Sequence, residues 1–214
     1  MKQTVRYGMS TLAAIALVAT IGLSSSPART ETPAAAPEMS AEQKEMMAKH
    51  AATTSPGKHH KQLGFFVGEW DTTTKIWMGG PGTTPAVSTG HSSVNWILDG
   101  RYIFEQHKGS MMGQPYEGTG MYGYDNYKNL YTGVWVNNVD TQMVHMAGSR
   151  NPKTGVWTYY GEMDEPMIGV TGRLVKYETK HISKDKHVFT IYDLHVGPDH
   201  KAVEVTYTRK PKAR

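Results

Sequence analysis

The stretch LGFFVGEWDTTTKIW, Leu63 to Trp77, decides how this chain folds. Before it the sequence is polar and poor in hydrophobic residues. After it, strand-like segments follow one another to Arg209. Leu63, Phe65, Phe66 and Val67 form an apolar plug on which a sheet can close, and Gly68-Glu69-Trp70 opens the first strand.

Downstream the pattern predicts about ten strands. They run near Glu69 to Met78, Val87 to Leu98, Arg101 to Lys108, Gly118 to Tyr124, Leu130 to Asn137, Gln142 to Ser149, Val156 to Met163, Gly169 to Ile182, His187 to Leu194 and Ala202 to Arg209. Asp99-Gly100, Asp125-Asn126, Asn151 to Gly155 and Gly197-Pro198-Asp199 supply residues that tolerate tight-turn dihedrals, so successive strands pair as an antiparallel meander. Gly123 to Trp135 and Gly148 to Trp157 resemble each other and both end in Gly-Val-Trp. The spacing between them is that of a repeated hairpin and is too short for a propeller blade.

A meander of this length can curl until its last strand pairs with its first, which removes exposed edges. In the final strand Val203, Val205 and Tyr207 alternate with Glu204, Thr206 and Thr208, giving one apolar and one polar face. If that strand lies beside the first, Arg209 stands over the Trp70 indole. Gly68, Trp70 and Arg209 are therefore the residues expected to close the barrel.

Upstream, residues 1–28 combine Lys2 and Arg6 with an apolar run near Leu12 to Leu23 and the small residues Ser24, Ser25, Ser26 and Ala28. That is the pattern of a signal peptide, and the run is shorter than the roughly 18 to 20 residues of a transmembrane helix. It predicts an exported protein, periplasmic or secreted, with no membrane span after cleavage. Residues 29–57 read as a flexible leader: a Pro/Ala-rich tether, then a short helix from Ser40 to about Ala52 with a capping box between Ser40 and Gln43. Residues 58–210 form the barrel domain and 211–214 a basic tail.

Composition narrows the function. Net charge is +4 and falls to +2 without Lys2 and Arg6, too weak and scattered for a nucleic-acid partner. Without cysteine there is no disulfide, thiolate metal site or cysteine nucleophile. Twelve Tyr, five Trp and 22 Gly suit a sheet protein rich in turns.

Several ordered motifs resemble the secreted DUF1579 family of uncharacterised proteins. They are His60-Lys61-Gln62-Leu63, Val67-Gly68-Glu69-Trp70, Leu98-Asp99-Gly100-Arg101-Tyr102, Gly113-Gln114-Pro115-Tyr116-Glu117-Gly118 and Gly123-Tyr124-Asp125-Asn126, with the strand ending at Trp135. The likeness spans about His60 to Lys210. It implies a calycin-like β-barrel, similar in outline to lipocalins and nitrobindin-type haem barrels, and no established activity. The family tends to carry an Asp two residues after that Trp, where this chain has Asn137; an amide cannot serve as a general base.

No nucleophile elbow, phosphate loop or dinucleotide fingerprint is present. Ten histidines include no ligand set with metal-site spacing; His187 and His195, eight residues apart on one strand, stand roughly 26 Å apart. No cofactor is predicted, although a calycin barrel is compatible with haem on a single histidine such as His145, His187 or His195. Arg101 and Glu105 share strand parity with Ile103 and His107, and the face they occupy is either an interior binding site or a solvated stripe. About ten strands enclose more width than side chains fill, which predicts a cavity.

The resulting expectation is a barrel binding a small amphipathic molecule. Tyr122, Trp135 and Tyr192 are its walls, Arg101 an anion anchor, and Glu105 and Asn137 further ligand-facing residues. Two alternatives differ in kind. One is an enzyme of isomerase or lyase type using Glu105 or a histidine as proton carrier. The other is an envelope interaction protein working through the leader helix or an exposed loop at Gly109 to Glu117.

Overall fold

Ten strands alternate in direction and close on themselves in the computed structural model, which describes residues 39–211. The signal-peptide pattern, the tether Thr30 to Pro37 and the last three residues of the basic tail lie outside the described residues. The strands are β1 (Gly68–Ile76), β2 (Ala86–Ile97), β3 (Tyr102–Met111), β4 (Gln114–Asp125), β5 (Leu130–Asn137), β6 (Val144–Arg150), β7 (Trp157–Glu165), β8 (Val170–Ser183), β9 (Lys186–Asp193) and β10 (Lys201–Arg209). Each pairs antiparallel with the next. β1 pairs with β10 in a register that sets Trp70 opposite Arg209 and Ile76 opposite Val203. This is the closed meander expected from the hairpin chemistry.

Two helices precede the barrel. In α1 (Ala41–Thr54), Ser40 and Gln43 cap each other reciprocally, as their spacing predicts. The Asn126 amide donates to the carbonyls of Thr53 and Ser55, tying the end of α1 to the β4–β5 turn. α2 (Lys58–Leu63) lies within the stretch assigned to the barrel domain; His60 Nδ1 accepts the Gly57 N–H and covers an otherwise free helix-start donor. Among the described residues no helix is long and apolar enough to cross a membrane.

The segment Gly109 to Glu117, expected as an exposed loop, is instead the paired end of β3 and β4. Gly109 faces Tyr116, Ser110 faces Pro115 and Met111 faces Gln114. Only Met112 and Gly113 turn, both with positive φ, as a tight two-residue hairpin requires.

α2 and the residues after it plug one end of the barrel. Leu63 is buried, and Phe66 packs edge-on against Trp157. Trp70 has no exposed surface, and its indole N–H donates to the Phe66 carbonyl at 2.7 Å. Truncating a tryptophan buried this completely costs about 3 to 5 kcal/mol. The connections β1–β2, β3–β4, β5–β6, β7–β8 and β9–β10 gather at the other end, because strand direction alternates around a closed meander.

Candidate functional site

Period two turns Ile103, Glu105 and His107 of β3 into the barrel, and all three are buried. On β4 and β5, large and small residues alternate across the pair: Tyr122 lies opposite Gly133, and Gly120 opposite Trp135. The glycines let the rings lie along the wall. A Cβ on Gly118 would overlap the Trp135 ring, and one on Gly133 would stand 2.5 Å from Tyr122 Cδ1. Trp135 is then fixed by its N–H, which donates to the Tyr116 hydroxyl at 3.1 Å.

Above the plug these side chains leave a cavity of about 300 Å³. Its apolar walls include Val94, Val144, Met146, Phe189 and Val205. Glu105, 8% exposed, is its one deep carboxyl; Ser92 Oγ donates to Oε1 at 2.5 Å and the Tyr207 hydroxyl to the same oxygen at 3.1 Å. Burial pushes the Glu105 carboxyl above the ordinary carboxylate range, against the opposing pull of the Ser92, Tyr207 and Tyr122 hydroxyls. The same burial, with Glu105 alongside, pushes the Tyr122 and Tyr207 phenols well above their usual value. Burial, then the nearby His91, lowers the His107 pKa below its usual value.

Deeper, His187 stacks on Tyr207 with ring centroids 4.3 Å apart and meets Trp70 edge-on. Burial, then the nearby His181 and Arg209, lower His187 to about 3. Its Nδ1 and the Tyr177 hydroxyl are buried with no hydrogen-bond partner among the described residues.

Four of the expected ligand-facing residues, Glu105, Tyr122, Trp135 and Asn137, border the cavity. Asn137 sits at its mouth, where its Oδ1 accepts the N–H groups of Val139 and Asp140 and so shapes the β5–β6 turn. Arg101 does not share the face of Glu105. Leu98, Asp99 and Gly100 all take positive φ, so Arg101 belongs to the turn before β3, where strand parity does not extend. Its guanidinium lies near Asp99 and the Leu98 carbonyl, with the side chain 40% exposed. Tyr192 has the opposite parity to His187, Phe189 and Ile191, and its ring lies under Lys176 Nζ at 4.0 Å on the outer face. The closure residues meet as expected: the Arg209 guanidinium stands 3.9 Å from the Trp70 ring centroid.

Of the histidines considered for haem, His145 is exposed beside an outer hollow and His195 lies exposed after β9. His187 is in the cavity wall, but its ring is held between Tyr207, Trp70 and Phe66 and its Nδ1 is sealed. These residues do not fit a haem seat. Among the described residues no three His, Asp or Glu side chains converge as a metal-ligand set.

Ser92, Tyr116 and Tyr207 complete the site without having been singled out as site residues. Tyr207 had a legible signal, its parity with Val203 and Val205. Ser92 had none, since a serine in a Ser/Thr-rich strand reads as outward-facing.

A family model described as "Protein of unknown function (DUF1579)" matches residues 55–209, which take in α2 and the whole barrel. No curated protein matches the sequence. Solved structures similar to this chain include a redesigned β-barrel, at 14% identity, 70% of this chain, 96% of that chain and a TM-score of 0.37. Another is the S-type phycobiliprotein lyase of Guillardia theta, at 10% identity, 72% of this chain, 94% of that chain and a TM-score of 0.49. Likeness at this level carries no inference about activity.

Proposed function

This chain belongs to the DUF1579 family, described only as proteins of unknown function, and from that premise we propose that its barrel binds a small, partly apolar molecule. The observation that supports this is the cavity itself, about 300 Å³ of space walled by aliphatic and aromatic side chains around a few convergent polar groups. That combination is the usual composition of a small-molecule site. Tyr122 and Trp135 serve as walls, Tyr116 holds Trp135 in place, and the Glu105 carboxyl supplies the orienting polar contact. The basic start and apolar run of residues 1–28 support export, and with it a ligand met outside the cytoplasm.

The test is native mass spectrometry of protein purified from its own host, paired with titration of an apolar fluorescent probe. A retained mass and saturable probe binding that Trp135→Ala weakens are the expected results. Failure to bind across a chemically varied panel would end the proposal.

One observation favours a second reading, chemistry in the same cavity. Glu105 is buried in the cavity and burial raises its pKa, which makes it the candidate proton carrier. In an isomerase- or lyase-type reaction it would move that proton to or from the bound molecule. Incubating the retained ligand with the protein in D2O separates the readings: deuterium on carbon that Glu105→Gln abolishes indicates catalysis, and an unlabelled ligand indicates binding alone.

A further inference from the structure

The cavity's charge inventory is one-sided. Among the described residues its titratable lining groups, phenols apart, are Glu105, His107, Asp140 and His187, with no lysine or arginine. Arg101 lies in the turn before β3, and Arg209 is committed to the carbonyls of Val67 and Phe65 at the plugged end. Burial lowers both histidines, so neither supplies a fixed positive charge near neutral pH. An anion entering here would lose its hydration and meet carboxyls, hydroxyls, uncharged imidazoles and the Asn137 amide, but no fixed positive charge.

A cation meets the opposite situation. The Ser92 and Tyr207 hydroxyls both donate to Oε1, so the two hydrogen bonds that fix the Glu105 carboxyl converge on one of its oxygens, with the Tyr122 hydroxyl as its third polar neighbour. Burial outweighs those hydroxyl donors and raises the Glu105 pKa in the empty cavity, and an ammonium partner would supply the opposite charge that shifts the balance back to the carboxylate. Asp140 stands at the mouth, and Tyr116, Tyr122 and Trp135 present aromatic rings, which attract cations through their faces.

Resting on the reading of the cavity as a small-molecule site, we propose that its ligand carries a protonated amine on an apolar body, with the nitrogen at Glu105. Carboxylates of the same size are excluded. The deep carboxyl and the absence of any cation in the wall together set the preference.

Three probes of matched size decide it: 2-(1-naphthyl)ethylamine, 2-(1-naphthyl)ethanol and 1-naphthylacetate, titrated calorimetrically near neutral pH into the full chain. The amine should bind about tenfold or more tighter than the alcohol, and the acetate more weakly than the alcohol. In Glu105→Gln the ratio of amine to alcohol affinity should fall towards one. An acetate that binds as tightly as the amine overturns the proposal. So does an amine with no advantage over the alcohol, or a ratio unchanged in Glu105→Gln. The wild-type ranking decides the matter even if the variant does not fold. Binding of the alcohol without an amine advantage sinks the selectivity and leaves the cavity reading standing; binding of none of the three removes both.

Discussion

The Arg209 guanidinium lies over the Trp70 indole while donating from Nη1 to the Val67 carbonyl and from Nη2 to the Phe65 carbonyl, each at 2.7 Å. One side chain thus joins the last strand, the first strand and the plug. Gly68 makes room for it: its φ is +132°, and a Cβ there would stand 2.6 Å from Arg209 Nη1.

Arg209→Ala should therefore cost about 2 to 4 kcal/mol, combining a cation–π contact with two charge-assisted hydrogen bonds. Arg209→Lys should recover little, because an ammonium lacks the planar fork that reaches both carbonyls over the ring. Urea denaturation of the three proteins checks this. A lysine variant as stable as wild type would reduce the contact to simple charge.

Gly118→Ala should destabilise by about 1 to 3 kcal/mol through overpacking, since the new methyl overlaps the Trp135 ring. Displacing that ring breaks its hydrogen bond to Tyr116 and changes the cavity wall. Loss of stability together with altered apolar-probe binding is the expected pair of results. Gly113→Ala, in the exposed β3–β4 turn, should cost stability through its positive φ alone and leave probe binding intact.

Strand positions were legible in the sequence because turn residues punctuate it and alternation marks each face. The closure was legible too, from the alternation of β10 and the pairing of Trp70 with Arg209. Which parity faces inward was not, because Ile103, Glu105 and His107 carry as much polar as apolar character. Burial against the far wall decides it, and no local pattern records that wall. Arg101 falls outside that parity because it is the last residue of the turn that Leu98, Asp99 and Gly100 make with positive φ, one residue before β3 begins. The glycines at 118, 120 and 133 read locally as weak strand positions, and their purpose appears only once the Tyr122 and Trp135 rings are set beside them. Helix α2, six residues long, is too short for any periodicity to emerge.

Glu105 should make stability fall as pH rises. Its folded pKa is raised above the ordinary 4.5, so the folded state holds a proton that the unfolded chain releases. The contribution is complete below about 4.5 and is lost as pH climbs through the raised folded value. The groups facing it are the hydroxyls of Ser92, Tyr122 and Tyr207, with His107 on the same strand. Relative to wild type, Glu105→Gln should gain stability progressively across that window. A stability difference independent of pH would show that Glu105 is ionised at no cost.

His187 should act in the opposite direction. Its folded pKa is lowered from 6.5 to about 3, so the folded state resists a proton that the unfolded chain accepts. Stability is full above 6.5 and declines as pH falls towards the folded value, each pH unit within that span costing about 1.4 kcal/mol. Phe65, Phe66, Trp70 and Tyr207 surround the ring, and His181 and Arg209 are the nearby charged or titratable groups that oppose its protonation. His187→Phe keeps a flat ring against Tyr207 and removes both the titration and the partnerless Nδ1. Between pH 7 and pH 4 the variant should therefore gain about 3 kcal/mol on wild type. Denaturant titrations across that range measure it. Parallel profiles for the two proteins would mean that another group sets the acid limit.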